Sequence, residues 1–131
     1  MRVMIDTNIL FSAIAFPNGA AAQAFSKCIL DHDLVIPTYV IDELKDVFRR
    51  KFPDFVSTVD KFLEQLSFEL VYTPDNISEK IAEIRDEKDY PILYSAINED
   101  VDILLTGDKD FKAVNIEKPK ILTPAEFLKD F

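Results

Sequence analysis

Thiols and imidazoles are almost absent from this chain. Cys28 is the only cysteine and His32 the only histidine among 131 residues. A lone thiol forms neither an internal disulfide nor a thiolate zinc cluster. A lone imidazole removes the His-based zinc sites, which leaves oxygen ligands for any metal chemistry. No apolar run approaches the roughly 20 residues that cross a bilayer as a helix. The opening "MRVMIDTNIL" carries Asp6 where a signal peptide has an unbroken apolar core. The expectation is a soluble, cytoplasmic protein with no membrane contact. Positive charge is also in short supply, with 15 Lys+Arg against 24 Asp+Glu and a net charge of −9. That balance argues against general nucleic-acid affinity, which normally leaves a basic footprint. It does not exclude a nucleic-acid enzyme, because a carboxylate cluster is negative only until its cation arrives.

Apolar residues make up 48% of the chain and charged ones 30%, the balance of a globular protein rather than a disordered one. The length suits one domain over residues 1–131. Short apolar strands are expected at 2–5, 34–37, 68–72, 101–106 and 118–122. Between them the pattern is helical at 8–16, 20–30, 39–51, 54–66, 77–85 and 86–100, with a last helix from Thr123. Thr7 or Asn8 is expected to cap the first helix and Thr38 the third. Pro91 suits a first helical turn. Thr123, Pro124 and Glu126 form a capping-box pattern. Strands that are apolar on both faces and separated by helices predict an α/β fold with a parallel sheet covered on both sides. In such sheets functional groups gather at the carboxyl edge. Asp6 ends the first strand there, and Asp108 closely follows the strand "VDILLT".

Helical geometry sorts the other carboxylates. On helix 39–51 the apolar stripe of Val40, Ile41, Leu44, Val47 and Phe48 is centred on Leu44. At about 100° per residue, Asp42 and Asp46 lie about 160° from that centre and face solvent. Glu43 lies about 100° away, on the border, where it can lean into a cleft. Asp89 precedes a helix that buries Ile92, Leu93, Ala96 and Ile97. If helical phasing extends back to it, Asp89 is a carboxylate on the apolar face, costly unless hydrogen-bonded, protonated or bound to a cation. If the helix starts at Pro91, Asp89 is a cap.

The motifs "MIDTNIL", "VIPTYVIDEL", "RDEKDYPILYSAI" and "LLTGDKDF" occur in that order. With them the chain resembles the PIN-domain ribonucleases, in particular the small prokaryotic PIN proteins of toxin–antitoxin type. The resemblance runs from residue 3 to about residue 127. It implies a three-layer sandwich around a central parallel sheet of about five strands in the order 3-2-1-4-5. The family's four acids fall on Asp6, Glu43, Asp89 and Asp108. The implied activity is endoribonucleolytic hydrolysis of RNA phosphodiesters with Mg²⁺ or Mn²⁺, in which one cation activates water and a second stabilises the leaving oxygen. Asp6, Asp89 and Asp108 are the expected metal ligands, with Glu43 ligating or orienting water. Thr7, Asn8, Thr106 and Gly107 are expected near substrate or the neighbouring carboxylates, unless they serve only caps and turns. Gly107 would supply a positive φ or room for a phosphate. Asp110 is either a carboxylate behind the ligands or a cap.

The resemblance also implies an antitoxin partner and allows a homodimer. A PIN-fold module held by a protein partner, with little nuclease activity, is the alternative that the net charge of −9 keeps open. A phosphatase of the haloacid-dehalogenase type also begins with a strand ending in Asp, but it needs a second Asp where this chain has Asn8. Arg85, Lys88, Lys109, Lys112 and the run Arg49–Lys51 are candidate RNA contacts. For the run, a favourable helix C-terminus is the competing explanation.

Overall fold

A computed structural model describes residues 1–74 and 89–131. Five parallel strands form its sheet: β1 (Arg2–Ile5), β2 (Asp33–Pro37), β3 (Glu69–Val71), β4 (Ile103–Leu105) and β5 (Lys120–Leu122), in the order β3-β2-β1-β4-β5. The helices are α1 (Thr7–Ala15), α2 (Ala20–Asp31), α3 (Thr38–Lys51), α4 (Val56–Gln65), α5 (Tyr90–Asn98), α6 (Lys109–Lys112) and α7 (Pro124–Asp130). The three-layer α/β architecture and the strand order are those expected. The helix expected at 77–85, together with Arg85 and Lys88, lies outside the described residues.

The sheet has this order because its central strands have no polar face. Val3, Met4 and Ile5 of β1 and Ile103, Leu104 and Leu105 of β4 are all buried. A strand buried on both faces needs neighbours on both edges and helices above and below. β1 pairs with β2 and β4 in register, Val3 opposite Leu34 and Ile103. The chain direction reverses its progress across the sheet between β1 and β4, which opens a crevice at their carboxyl ends. On α3, Val40, Leu44 and Phe48 are buried while Asp42 and Asp46 are exposed, the phase read from the sequence.

Several boundaries differ from expectation for identifiable reasons. α1 is capped by Asp6, whose carboxylate accepts from the Ile9 N–H at 2.8 Å, and Thr7 and Asn8 are already helical. Thr38 is the first residue of α3 rather than its cap, and its hydroxyl accepts from the Thr73 N–H at 2.9 Å. That hydrogen bond ties the end of β3 to the start of α3. Residues 53–55 form a 3₁₀ turn before α4, with Pro53 at its start. Gly107 has no positive φ. α6 is an unforeseen four-residue helix immediately after the Asp108 turn. The capping box of α7 forms as the sequence indicates, with Glu126 N–H on the Thr123 hydroxyl at 3.2 Å and Thr123 N–H on Glu126 at 3.0 Å.

Candidate active site

The carboxyl edge of β1 and β4 carries two acids joined by one hydroxyl. Main-chain bonds continue just past both strands, from Asp6 N–H to Leu105 O at 3.2 Å and from Thr106 N–H to Leu122 O at 2.9 Å. They hold Asp6 and Thr106 side by side as extensions of the sheet. The Thr106 hydroxyl donates to Asp6 Oδ2 and accepts from the Asp108 N–H, the latter at 3.1 Å. Thr106 is fully buried and Asp6 is only 3% exposed. A single buried hydroxyl therefore fixes the distance between the Asp6 carboxylate and the backbone of Asp108.

Burial dominates the protonation of Asp6, pushing its carboxyl up to about 6. The Thr106 hydroxyl and the Ile9 N–H oppose that by hydrogen bonding to the charged form, and the negative charges of Asp108 and Glu43 add to the rise. Like charges facing a buried acid in this way are an arrangement that a cation would relieve.

Glu43 enters from α3. Its Oε1 accepts from the Thr7 hydroxyl and its Oε2 from the Tyr39 hydroxyl at 3.4 Å. Thr7 is the residue after Asp6, so the second acid is fastened beside the first. Asp89 occupies the cap position of α5, but its side chain makes no capping hydrogen bond to that helix. Asp108 caps α6, its Oδ1 accepting from the Asp110 N–H at 2.8 Å. That turn brings Asp110 round towards Asp108. Among the described residues, Asp89, Asp108 and Asp110 can place one carboxylate oxygen each within 4.8 Å of one another. All three are half-buried. An all-oxygen, anionic donor set of this kind fits a hard divalent cation such as Mg²⁺ or Mn²⁺.

The structure thus assembles Asp89 and Asp108, links Asp6 to Asp108 through Thr106, and links Glu43 to Asp6 through Thr7. Asn8 is exposed on the first turn of α1. Asp110, expected behind the ligands or as a cap, reaches the same oxygen cluster as Asp108. Tyr39 was not anticipated. Its position four residues before Glu43 on one helix was the available signal, because such pairs share a face. Phe111 is buried and anchors α6 on the core, while Lys109 is exposed. Lys112 reaches across to β5 and α7, donating to the Ile121 carbonyl at 2.9 Å and pairing with Glu126 at 2.6 Å.

A Cβ added at Gly107 meets nothing within 4 Å. Gly107→Ala is therefore expected to change stability by less than about 0.5 kcal/mol. A larger loss in thermal denaturation would mean that the turn needs glycine after all.

No curated protein matches this chain. A solved structure similar in fold is VapBC2 from Rickettsia felis, bound to a DNA fragment from their promoter. The matching chain is 19% identical, with a TM-score of 0.69 over 94% of this chain and 98% of its own length. A family model described as the PIN domain matches residues 2–110. That span holds all of the acids assembled above, and the chain belongs to the PIN domain family.

Proposed function

We propose that the chain is a divalent-cation-dependent endoribonuclease, the toxin component of a toxin–antitoxin pair, working in the cytoplasm as one PIN-like domain over residues 1–131. The observation that carries this reading is the convergence of Asp89, Asp108 and Asp110 beside the Asp6–Thr106 hydrogen bond. Asp89 and Asp108, with Asp110, would hold Mg²⁺ or Mn²⁺, and Asp6 would complete the site from β1. Such a cation, when bound, supplies Lewis acidity to a phosphate oxygen and makes a neighbouring water more acidic. Glu43, steadied by Thr7 and Tyr39, would orient the attacking water and take its proton. Thr106 holds Asp6 and the Asp108 turn in place. Asn8 and Gly107, both exposed, would border the approach for the substrate phosphate. The likeness to VapBC2 supports an antitoxin partner, and a homodimer is compatible with the family.

Purified protein is expected to cleave RNA with Mg²⁺ or Mn²⁺, to stop in EDTA and to recover when the cation is restored. Cleavage that persists in EDTA would sink the assignment. The net charge of −9 favours a second reading, a PIN-fold module whose role is to be held by a partner. Cation binding without cleavage of any RNA, alongside tight capture of a cognate antitoxin, would select it.

A further inference from the structure

At the far end of α3, phenylalanines from α1, α3 and the 3₁₀ turn that follows form a group that the fold buries only in part. Phe48 is buried and Phe11 is packed against the core. They support Phe52, which is 43% exposed, and Phe52 in turn meets Phe55, which is 55% exposed. The rings form a chain: Phe11 to Phe48 at 5.1 Å, Phe11 stacked on Phe52 at 6.2 Å, and Phe52 edge-on to Phe55 at 6.3 Å. Core packing does not require the outer two rings to be aromatic.

The same place holds the densest positive charge in this acidic chain. Arg49, Arg50 and Lys51 form the last turn of α3, immediately before Phe52, and all three are exposed. Lys51 Nζ lies 5.8 Å from the Phe11 ring centroid, so one cation is drawn onto the aromatic group itself. Favourable interaction with the helix C-terminus accounts for the cations. It does not account for half-exposed rings beside them.

Position links this group to the acids. α1 starts next to Asp6, α3 carries Glu43 near its start, and both helices run away from the carboxyl edge. Phe52, the C-cap of α3, is nine residue steps beyond Glu43, roughly 14 Å at 1.5 Å per residue. That spans about four nucleotides at the ~3.4 Å rise of a stacked strand.

We infer that Phe52 and Phe55, with Arg50 and Lys51, form a base-stacking platform for single-stranded RNA a few nucleotides from the acidic site. The aromatic rings take the bases and the cations take the phosphates, a combination that binds single strands with little sequence preference. Charge complementarity selects this occupant: a polyanion meets the one basic run here, whereas most of the chain's charge repels it. The inference rests on the ribonuclease reading and adds to it a second contact place, which rewards RNA long enough to reach both.

The test compares a single-stranded 12-nucleotide RNA with a 4-nucleotide one in Mn²⁺. The variants are Phe52→Leu with Phe55→Leu, and Arg50→Gln with Lys51→Gln. Leucine keeps apolar volume where Phe52 packs, so folding can be checked by thermal denaturation. The 12-mer to 4-mer ratio of kcat/KM is expected to fall about tenfold in the aromatic variant, mainly through KM. In the basic variant the salt dependence of 12-mer binding is expected to flatten by about one to two phosphate contacts. Should no RNA be cleaved, the ribonuclease reading fails, and fluorescence anisotropy of the labelled 12-mer in EDTA still reads the platform. An unchanged ratio, or unchanged anisotropy in both variants, overturns the inference. A switch from dimer to monomer in the aromatic variant at unchanged RNA affinity also overturns it, and assigns the rings to a contact between copies.

Discussion

Asp108→Asn is expected to lower metal-dependent RNA cleavage at least about a hundredfold, with stability within about 0.5 kcal/mol of wild type. Asparagine keeps an oxygen that can accept from the Asp110 N–H, so the cap of α6 survives. The Thr106 bond to the Asp108 backbone N–H survives as well. What is lost is one negative charge from the oxygen cluster shared with Asp89 and Asp110. Asp110→Asn is expected to cost less, about tenfold, because Asp108 is joined through Thr106 to Asp6. Steady-state cleavage of a labelled RNA and calorimetric titration with Mn²⁺ measure both variants. If Asp110→Asn proves the more damaging, Asp110 is the inner ligand and Asp108 serves chiefly as the cap that presents it.

Asp6→Asn is expected to separate stability from activity in opposite directions. Cleavage should fall by at least about a hundredfold, while the metal-free protein at pH 7.5 gains roughly 1–2 kcal/mol. The gain follows from the sign of the Asp6 shift. Burial raises its carboxyl to about 6 from the ordinary 3.8, so at neutral pH folding keeps a buried charge that water would solvate better. As pH falls from about 7 to about 4, the folded state takes up a proton that the unfolded state does not, and that cost is relieved. His32 works against this in the same window. Burial lowers its pKa below 6.5, so protonation favours the unfolded chain as the medium turns acidic. The difference between wild type and Asp6→Asn isolates Asp6, since His32 is common to both. In EDTA the gap in denaturation midpoint should be widest near pH 7.5 and close towards pH 4.5. A gap that is independent of pH would mean that Asp6 is not the group being relieved.

Much of this architecture was legible because the strands carry their information locally. Runs such as Val3–Ile5 and Ile103–Leu105 are apolar throughout, and only a sheet covered on both faces buries such strands. The phase of α3 likewise separated half-buried Glu43 from exposed Asp42 and Asp46, since all three sit on one regular helix. What could not be read were contacts between segments distant in sequence. Thr38 looks like a cap by its local neighbours, and only the fold brings the Thr73 N–H to its hydroxyl. Asp6 outcompeted Thr7 and Asn8 as the cap of α1 because it is the single residue between β1 and a helix that already starts at Thr7. Asp110 was uncertain for a different reason. α6 has four residues, too few to show any helical period, yet its tightness is what turns Asp110 towards Asp108 and Asp89.

The span that matches the PIN family model stops at residue 110, but the acidic turn is not held by that span alone. Lys112 fastens α6 to the Ile121 carbonyl and to Glu126, which itself closes the first turn of α7. The ion pair is too exposed to add much stability. Its contribution is mechanical: the last two elements of the chain brace the loop that presents Asp108 and Asp110. Two proteins could therefore carry the same acids and differ in how stiffly they offer them, according to a C-terminal sequence that contributes no carboxylate to the cluster.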